Sequence, residues 1–130
     1  DIGIFSAAVS DYRPDKMESQ KIKKTALDLN LKLLKNPDII SWASENRTPK
    51  QFIVGFALET NNALENALNK LESKKMDLIV LNSMEDKEAG IQKETNKITI
   101  LDKSKRKYDF PVKNKREVAN DIIDTILKLI

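Results

Sequence analysis

The 130-residue sequence contains no cysteine and no histidine. Lack of cysteine rules out a disulfide framework and is compatible with a reducing compartment, so a cytoplasmic location is expected. Together the two absences remove Ser-His-Asp and Cys-His nucleophile systems and nearly every structural zinc site. Any chemistry must rest on Lys, Arg, Asp, Glu, Asn and backbone dipoles. That inventory suits phosphoryl or nucleotidyl transfer, where positioning and charge stabilisation dominate and Mg²⁺ often takes part. Glycine is confined to Gly3, Gly55 and Gly90, too scattered for a glycine-rich phosphate loop of the P-loop or dinucleotide type. Aromatic residues are only 5% of the chain, which leaves few platforms for stacked bases. No apolar run approaches the roughly 20 residues that span a bilayer, and no basic region precedes an apolar segment at the start. Neither membrane insertion nor secretion is expected.

What is present fits a globular α/β domain: 40% hydrophobic against 33% charged residues, in a length that suits one domain covering residues 1–130. The net charge of +3 is mild. It does not demand a long nucleic-acid footprint, and an anionic small molecule would satisfy it.

Along the chain, residues 1–9 (DIGIFSAAV) read as a short buried strand and residues 11–20, polar and carrying Pro14, as a loop over its end. Leu27, Leu29, Leu31 and Leu33 alternate with polar residues, the period of an edge strand with one wet face. Asn36-Pro37-Asp38 supplies a side-chain cap, a proline for the first helical position and an acid for the positive end, predicting a helix to about residue 46. Within it Trp42 is expected in the core. The nearly continuous apolar run 51–58 (QFIVGFAL) predicts a central parallel strand, with Glu59, Thr60 and Asn61 at its carboxyl end. Residues 61–75 carry apolar side chains at helical spacing, with Lys70 and Lys74 on one flank. A short buried strand follows over 77–81, ending at Asn82. Then come a polar loop over 83–95, a hairpin formed by 97–101 and 106–111, and a helix over 113–130 whose apolar face is Val118, Ile122, Ile123, Ile126, Leu127 and Ile130. Strands alternating with helices predict a Rossmann-like three-layer α/β sandwich, its sheet mostly parallel and extended at one edge by the C-terminal β-hairpin.

This topology gathers four places at one sheet edge: the loop after Val9, the helix start at Asn36, the strand end from Phe56, and Asn82. Open parallel sheets bind ligands outside their carboxyl ends. An acid (Asp11) followed by Lys21, Lys23 and Lys24 at such a place points to a metal-phosphate ligand, against the blander reading of a solvated charge run. Gly55 inside an apolar strand marks a close approach by a ligand or a backbone, with Phe56 beside it.

The ordered series AAVSDYRP, KIKK, LLKNPDII, VGFALET, Lys70 with Lys74, and DLIVLN resembles the phosphopantothenate-cysteine ligase family of coenzyme A biosynthesis over nearly the whole chain. The resemblance implies CTP as co-substrate, an acyl-cytidylate of 4'-phosphopantothenate formed with loss of pyrophosphate, and displacement of CMP by the cysteine amine. It implies CTP contacts at Asp11, Lys21, Asn36, Pro37, Asp38, Ile39, Phe56, Lys70 and Lys74. Lys21 is implied as the catalytic charge on the triphosphate, and Asp11 as a holder of ribose hydroxyls or of a Mg²⁺ shared with phosphates. It further implies a homodimer, and fusion to or association with an FMN-dependent decarboxylase, FMN itself lying outside this chain. The family's glycine-rich nucleotide-binding start would lie ahead of Asp1, and much of the phosphopantothenate site with it. The alternatives from composition are a basic module binding RNA or DNA through KIKK and residues 103–107, and an assembly module without catalysis. On the family reading the 130 residues alone bind CTP weakly and do not turn over; a coupled pyrophosphate-release assay showing ligase activity from the isolated chain would refute it.

Overall fold

A computed structural model describes residues 1–23, 28–83 and 94–130. In chain order the elements are β1 (Ile2–Phe5), β2 (Tyr12–Pro14), β3 (Leu33–Lys35), α1 (Ile39–Asn46), β4 (Phe52–Glu59), α2 (Ala63–Ser73), β5 (Leu78–Ser83), β6 (Thr95–Asn96), β7 (Ile98–Asp102), β8 (Lys107–Asp109), β9 (Lys113–Asn114) and α3 (Lys115–Leu127). The central sheet has the order β1-β4-β5-β7-β8. Strands β1, β4 and β5 run parallel, Val54 lying opposite both Ile4 and Leu78, whereas β7 is antiparallel to β5 and to β8. The fold is therefore the expected Rossmann-like α/β arrangement, with the β7–β8 hairpin extending one edge.

Alternation along β4 assigns the layers. Ile53 and Ala57 join Ile79, Leu81 and Leu101 under Ile40 and Ala43 of α1 and Ala67 and Leu71 of α2. Val54 faces the other way, with Leu78, Val80, Ile98 and Ile100, against Val118, Ile122 and Ile126 of α3. Both faces of β4 and β5 are thus covered, which is why their sequences read as unbroken apolar runs. Helix α3 starts on a capping box: Asn114 accepts from the Glu117 N–H at 2.9 Å, and Glu117 accepts from the Asn114 N–H at 3.3 Å.

Four expectations are corrected. The alternating leucines do not form an edge strand of the central sheet. Residues 28–32 carry no regular structure, and only Leu33–Lys35 is extended, pairing antiparallel with Tyr12–Pro14 of the segment expected to be loop. A period of two reports an extended chain with two kinds of face, and does not say which sheet it joins. Trp42 is 65% exposed. Ile40 and Ala43 occupy the face of α1 that meets the sheet, and at about 100° per residue Trp42 falls with Ile39 on the opposite flank. The same geometry divides the apolar positions of α3: Val118, Ile122 and Ile126 are buried, whereas Ile123 and Leu127 are exposed, and Ile130 lies exposed beyond the end of the helix at Leu127. Gly55 makes room for a side chain and not for a ligand, since a Cβ there would run into the Met76 thioether. Lys24, Leu27 and most of the 83–95 loop lie outside the described residues.

At the amino ends of β4 and β5 the buried Asp77 carboxylate accepts from the Ile53 N–H at 2.9 Å, from Lys103 Nζ at 3.1 Å and from the Arg47 guanidinium. Burial works to raise this carboxyl, but the Ile53 N–H and the two cations outweigh it and hold it below the ordinary range. A carboxyl lowered on folding contributes stability above its unfolded pKa, and that stability disappears as pH falls through the folded value. Asp77→Ala should cost about 3 kcal/mol at neutral pH by leaving buried donors unpaired. Urea unfolding should show the gap between wild type and variant closing below about pH 4.

Candidate functional site

A pocket of 560 Å³ opens at the carboxyl ends of β1 and β4. It is within the size range of small-molecule sites and lies where an open α/β sheet receives ligands. Of the nine predicted contacts it gathers eight: Asp11, Asn36, Pro37, Asp38, Ile39, Phe56, Lys70 and Lys74. The ninth, Lys21, is exposed on the stretch between β2 and β3 and does not line the pocket. Asn82, although at the carboxyl end of β5, is not in the lining either.

Each wall has a local cause. After β1 the chain turns at 7–9, the Val9 N–H donating to the Ala7 carbonyl at 3.0 Å, and enters the β2–β3 hairpin. That hairpin is fastened to the pocket by Asn36, whose side-chain amide donates to the Ser10 carbonyl at 2.7 Å and whose Oδ1 accepts from Arg13 at 2.9 Å. The Asn36 backbone N–H donates to the Asp11 carbonyl at 2.8 Å. Asn36 is therefore not the helix cap. Asp38 is, accepting from the Ser41 N–H at 3.0 Å, and Pro37 lies one residue ahead of the cap rather than in the first helical position. Phe56, on the face of β4 opposite Gly55, is 36% exposed and lines the pocket.

The electrostatics are set by two lysines one turn apart on α2 and its C-cap. Lys74 Nζ lies 3.0 Å from Asp38 Oδ2, and Lys70 Nζ lies 2.6 Å from Glu59 Oε1. Burial works to raise the Asp38 carboxyl, but the Ser41 N–H and the Lys74 ammonium prevail and keep it low. Asp38 thus serves α1 as cap and Lys74 as counter-ion at once. Glu59 carried no role in the sequence reading; its signal is its place as the last residue of β4, eleven residues before Lys70. No group of three or more potential metal ligands occurs among the described residues. A Mg²⁺ whose other ligands are phosphate oxygens and water would need a single carboxylate, and Asp11 and Asp38 both line the pocket.

The arrangement can hold an anion against two ammoniums, beside the Asn36-Pro37-Asp38 turn, and it defines a Rossmann-like α/β protein with an anion-suited site at its strand ends. The chain belongs to the DNA/pantothenate metabolism flavoprotein C-terminal domain family, whose model matches residues 1–130. It is 44% identical over its whole length to a cysteine/cysteine sulfinic acid decarboxylase from an unknown prokaryotic organism, covering 36% of that protein. It is 38% identical over 127 residues to the coenzyme A biosynthesis bifunctional protein CoaBC of Haemophilus influenzae, covering 98% of this chain and 31% of that one. The chain thus spans about a third of the length of these curated relatives. Among solved structures, the C-terminal domain of a CoaBC protein superposes with a TM-score of 0.75 at 31% identity over 99% of this chain and 56% of that one. The resemblance to the phosphopantothenate-cysteine ligase family is upheld by these matches.

Asp38→Asn should keep the cap and lose only the charge opposite Lys74, whereas Asp38→Ala should lose both and cost about 1 kcal/mol more in thermal unfolding. Equal stability of the two variants would show that the cap is not what Asp38 contributes.

Proposed function

We propose that this chain is the nucleotide-binding part of a phosphopantothenate-cysteine ligase. In that reaction the carboxylate of 4'-phosphopantothenate attacks the α-phosphorus of CTP and pyrophosphate leaves. The cysteine amine then attacks the acyl carbon and CMP leaves, so that one carbon-nitrogen bond forms and one nucleoside triphosphate is cleaved. The observation that carries the proposal is the convergence in one pocket of eight residues drawn from four separate stretches of sequence. The family membership and the CoaBC relatives support coenzyme A biosynthesis as its setting.

In this reading Lys70 and Lys74 supply point charges to the triphosphate, Phe56 packs against the base, and Asn36, Pro37, Asp38 and Ile39 bind polar edges of the nucleotide. Asp11 holds ribose hydroxyls or one side of a Mg²⁺ whose remaining ligands are phosphate oxygens. Lys21 reaches the leaving pyrophosphate when the segment after β2 closes over bound nucleotide, where its charge counts for most in the transition state. Substrates, homodimer formation, a fused or associated FMN decarboxylase and a cytoplasmic setting belong to the same proposal. No helix among the described residues is long and apolar enough to cross a membrane.

The nucleic-acid alternative loses its second basic cluster. Lys103 is paired with Asp77, Lys105 with Glu72 at 2.5 Å, Arg106 with Asp102 at 2.8 Å and Lys107 with Asp109 at 2.9 Å. Charges matched within the chain form no continuous stripe for a phosphate backbone. Assembly remains compatible with the ligase reading, and exposed apolar side chains at Leu29, Leu31 and Leu33 and along β1 at Ile2 and Ile4 favour it.

Thermal unfolding checks the proposal. CTP with Mg²⁺ at ten times its Kd should add about 1.4 kcal/mol and raise Tm by roughly 5 °C, with ATP giving less and a single-stranded oligonucleotide nothing. Lys70→Ala with Lys74→Ala should abolish the shift. A response to oligonucleotide alone would reverse the assignment.

A further inference from the structure

The Lys70–Glu59 and Lys74–Asp38 pairs are not equivalent. Asp38 is half-open and divides its oxygens between a helix cap and Lys74. Glu59 is 13% exposed, and both of its oxygens are engaged: Oε1 by Lys70 Nζ at 2.6 Å, and Oε2 by the Asn66 side-chain amide at 3.3 Å. Asn66 is itself braced, donating also to the Asn61 carbonyl at 3.0 Å. The carboxylate is thus gripped by α2 from two successive turns, and it leads by a short, rigid route from the last residue of β4 to the Lys70 ammonium. Lys70 remains 46% exposed and lines the pocket.

Two ammoniums four residues apart on one helix repel, and a free lysine spreads over many rotamers. An anion-binding site gains when that spread is removed before the ligand arrives. An ammonium has three N–H donors, and Glu59 accepts from one of them, so donors remain for phosphate oxygens. Charge alone argues the other way: a carboxylate beside a phosphate site repels its ligand. The two effects predict opposite outcomes when the charge of Glu59 is removed, which makes the question decidable.

We propose that Glu59 is a positioning residue of the anion site, its Asn66-braced carboxylate fixing the Lys70 ammonium where it meets the phosphates of the bound ligand. The inference rests on the functional reading above only in taking the pocket to receive phosphate groups.

The test is titration of the 130-residue chain with inorganic tripolyphosphate, followed by NMR or calorimetry, with CTP and cytidine as parallel ligands. Glu59→Gln should weaken tripolyphosphate binding about fivefold, the scale of one ordinary hydrogen bond. Lys70→Ala should weaken it at least as much, and the Glu59→Gln, Lys70→Ala double variant no further than Lys70→Ala alone. Glu59→Asp keeps the charge but withdraws it by one methylene, and should follow Glu59→Gln rather than wild type. Unchanged or tighter binding by Glu59→Gln overturns the proposal, as does a loss that persists in full in the Lys70→Ala background, or absence of tripolyphosphate binding by the wild-type chain. Should Glu59→Gln not fold, Asn66→Ala removes the brace and neither charge. It should then show a smaller loss that vanishes with Lys70→Ala, and no loss would overturn the proposal. Tripolyphosphate carries neither base nor sugar, so equal affinity for it and for CTP would remove the nucleotide reading while leaving the assignment of Glu59 standing.

Discussion

Burying a carboxylate is tolerable only where enough donors converge on it, and Asp77 shows how much structure one such site can organise. Its two oxygens bring together the start of β4 through the Ile53 N–H, the link from α1 through Arg47, and the β7–β8 turn through Lys103. Its own backbone adds a bond in each direction, its N–H donating to the Ile53 carbonyl at 3.0 Å and its carbonyl accepting from the Lys103 N–H at 2.9 Å. A second buried carboxylate, Asp102, closes the hairpin turn by accepting from the N–H groups of Ser104 and Arg106 and from the Tyr108 hydroxyl. These knots lie on one side of the sheet, at the amino ends of β4 and β5. The opposite side, where β1 and β4 end, is left to the pocket.

This division of labour explains the character of the charges at each end. Around Asp77 and Asp102 the cations serve buried acids, and the contacts complete a structural network. In the pocket the acids are less deeply buried, and Lys70 and Lys74 keep donors for something else. Ion pairs of similar length therefore differ in meaning according to which partner is buried and what the other still exposes.

The sequence made the layers and the sheet legible because β4 and β5 are apolar on both faces and the apolar positions of α2 and α3 recur at helical spacing. The pocket was legible through the ordered motifs rather than through any one residue: Phe56, Lys70 and the Asn36-Pro37-Asp38 turn are unremarkable singly, and only the topology brings them to one edge. What could not be read was partnership. The leucines at 29, 31 and 33 and the exposed flank of α1 at Trp42 have the periodicity of buried surface, but periodicity is silent on what lies opposite. Asp77 and Glu59 were hidden for the reverse reason. A charged residue at the end of a strand reads as solvated until the fold shows a ring of donors around it. The cap of α1 was misplaced by two residues because Asn36 and Asp38 are both good caps, and Asn36 is consumed by the Arg13 and Ser10 contacts.

That last contact has an architectural consequence. The stretch from 15 to 32 leaves and rejoins the fold through a hairpin of three paired residues on each strand, closed at its pocket end by Asn36. Among the described residues of this stretch, Asp15 and Lys32 meet at its base, the Asp15 N–H donating to the Lys32 carbonyl at 2.9 Å and Lys32 Nζ lying 3.0 Å from Asp15 Oδ2. Doubling the length of a loop closed in this way would add only about 0.6 kcal/mol of closure entropy. The molecule thus carries a graft point. The length between β2 and β3 can change at little cost to the pocket, the core and the Asp77 knot, and the proposed function constrains this stretch only in asking that it carry Lys21 to the ligand.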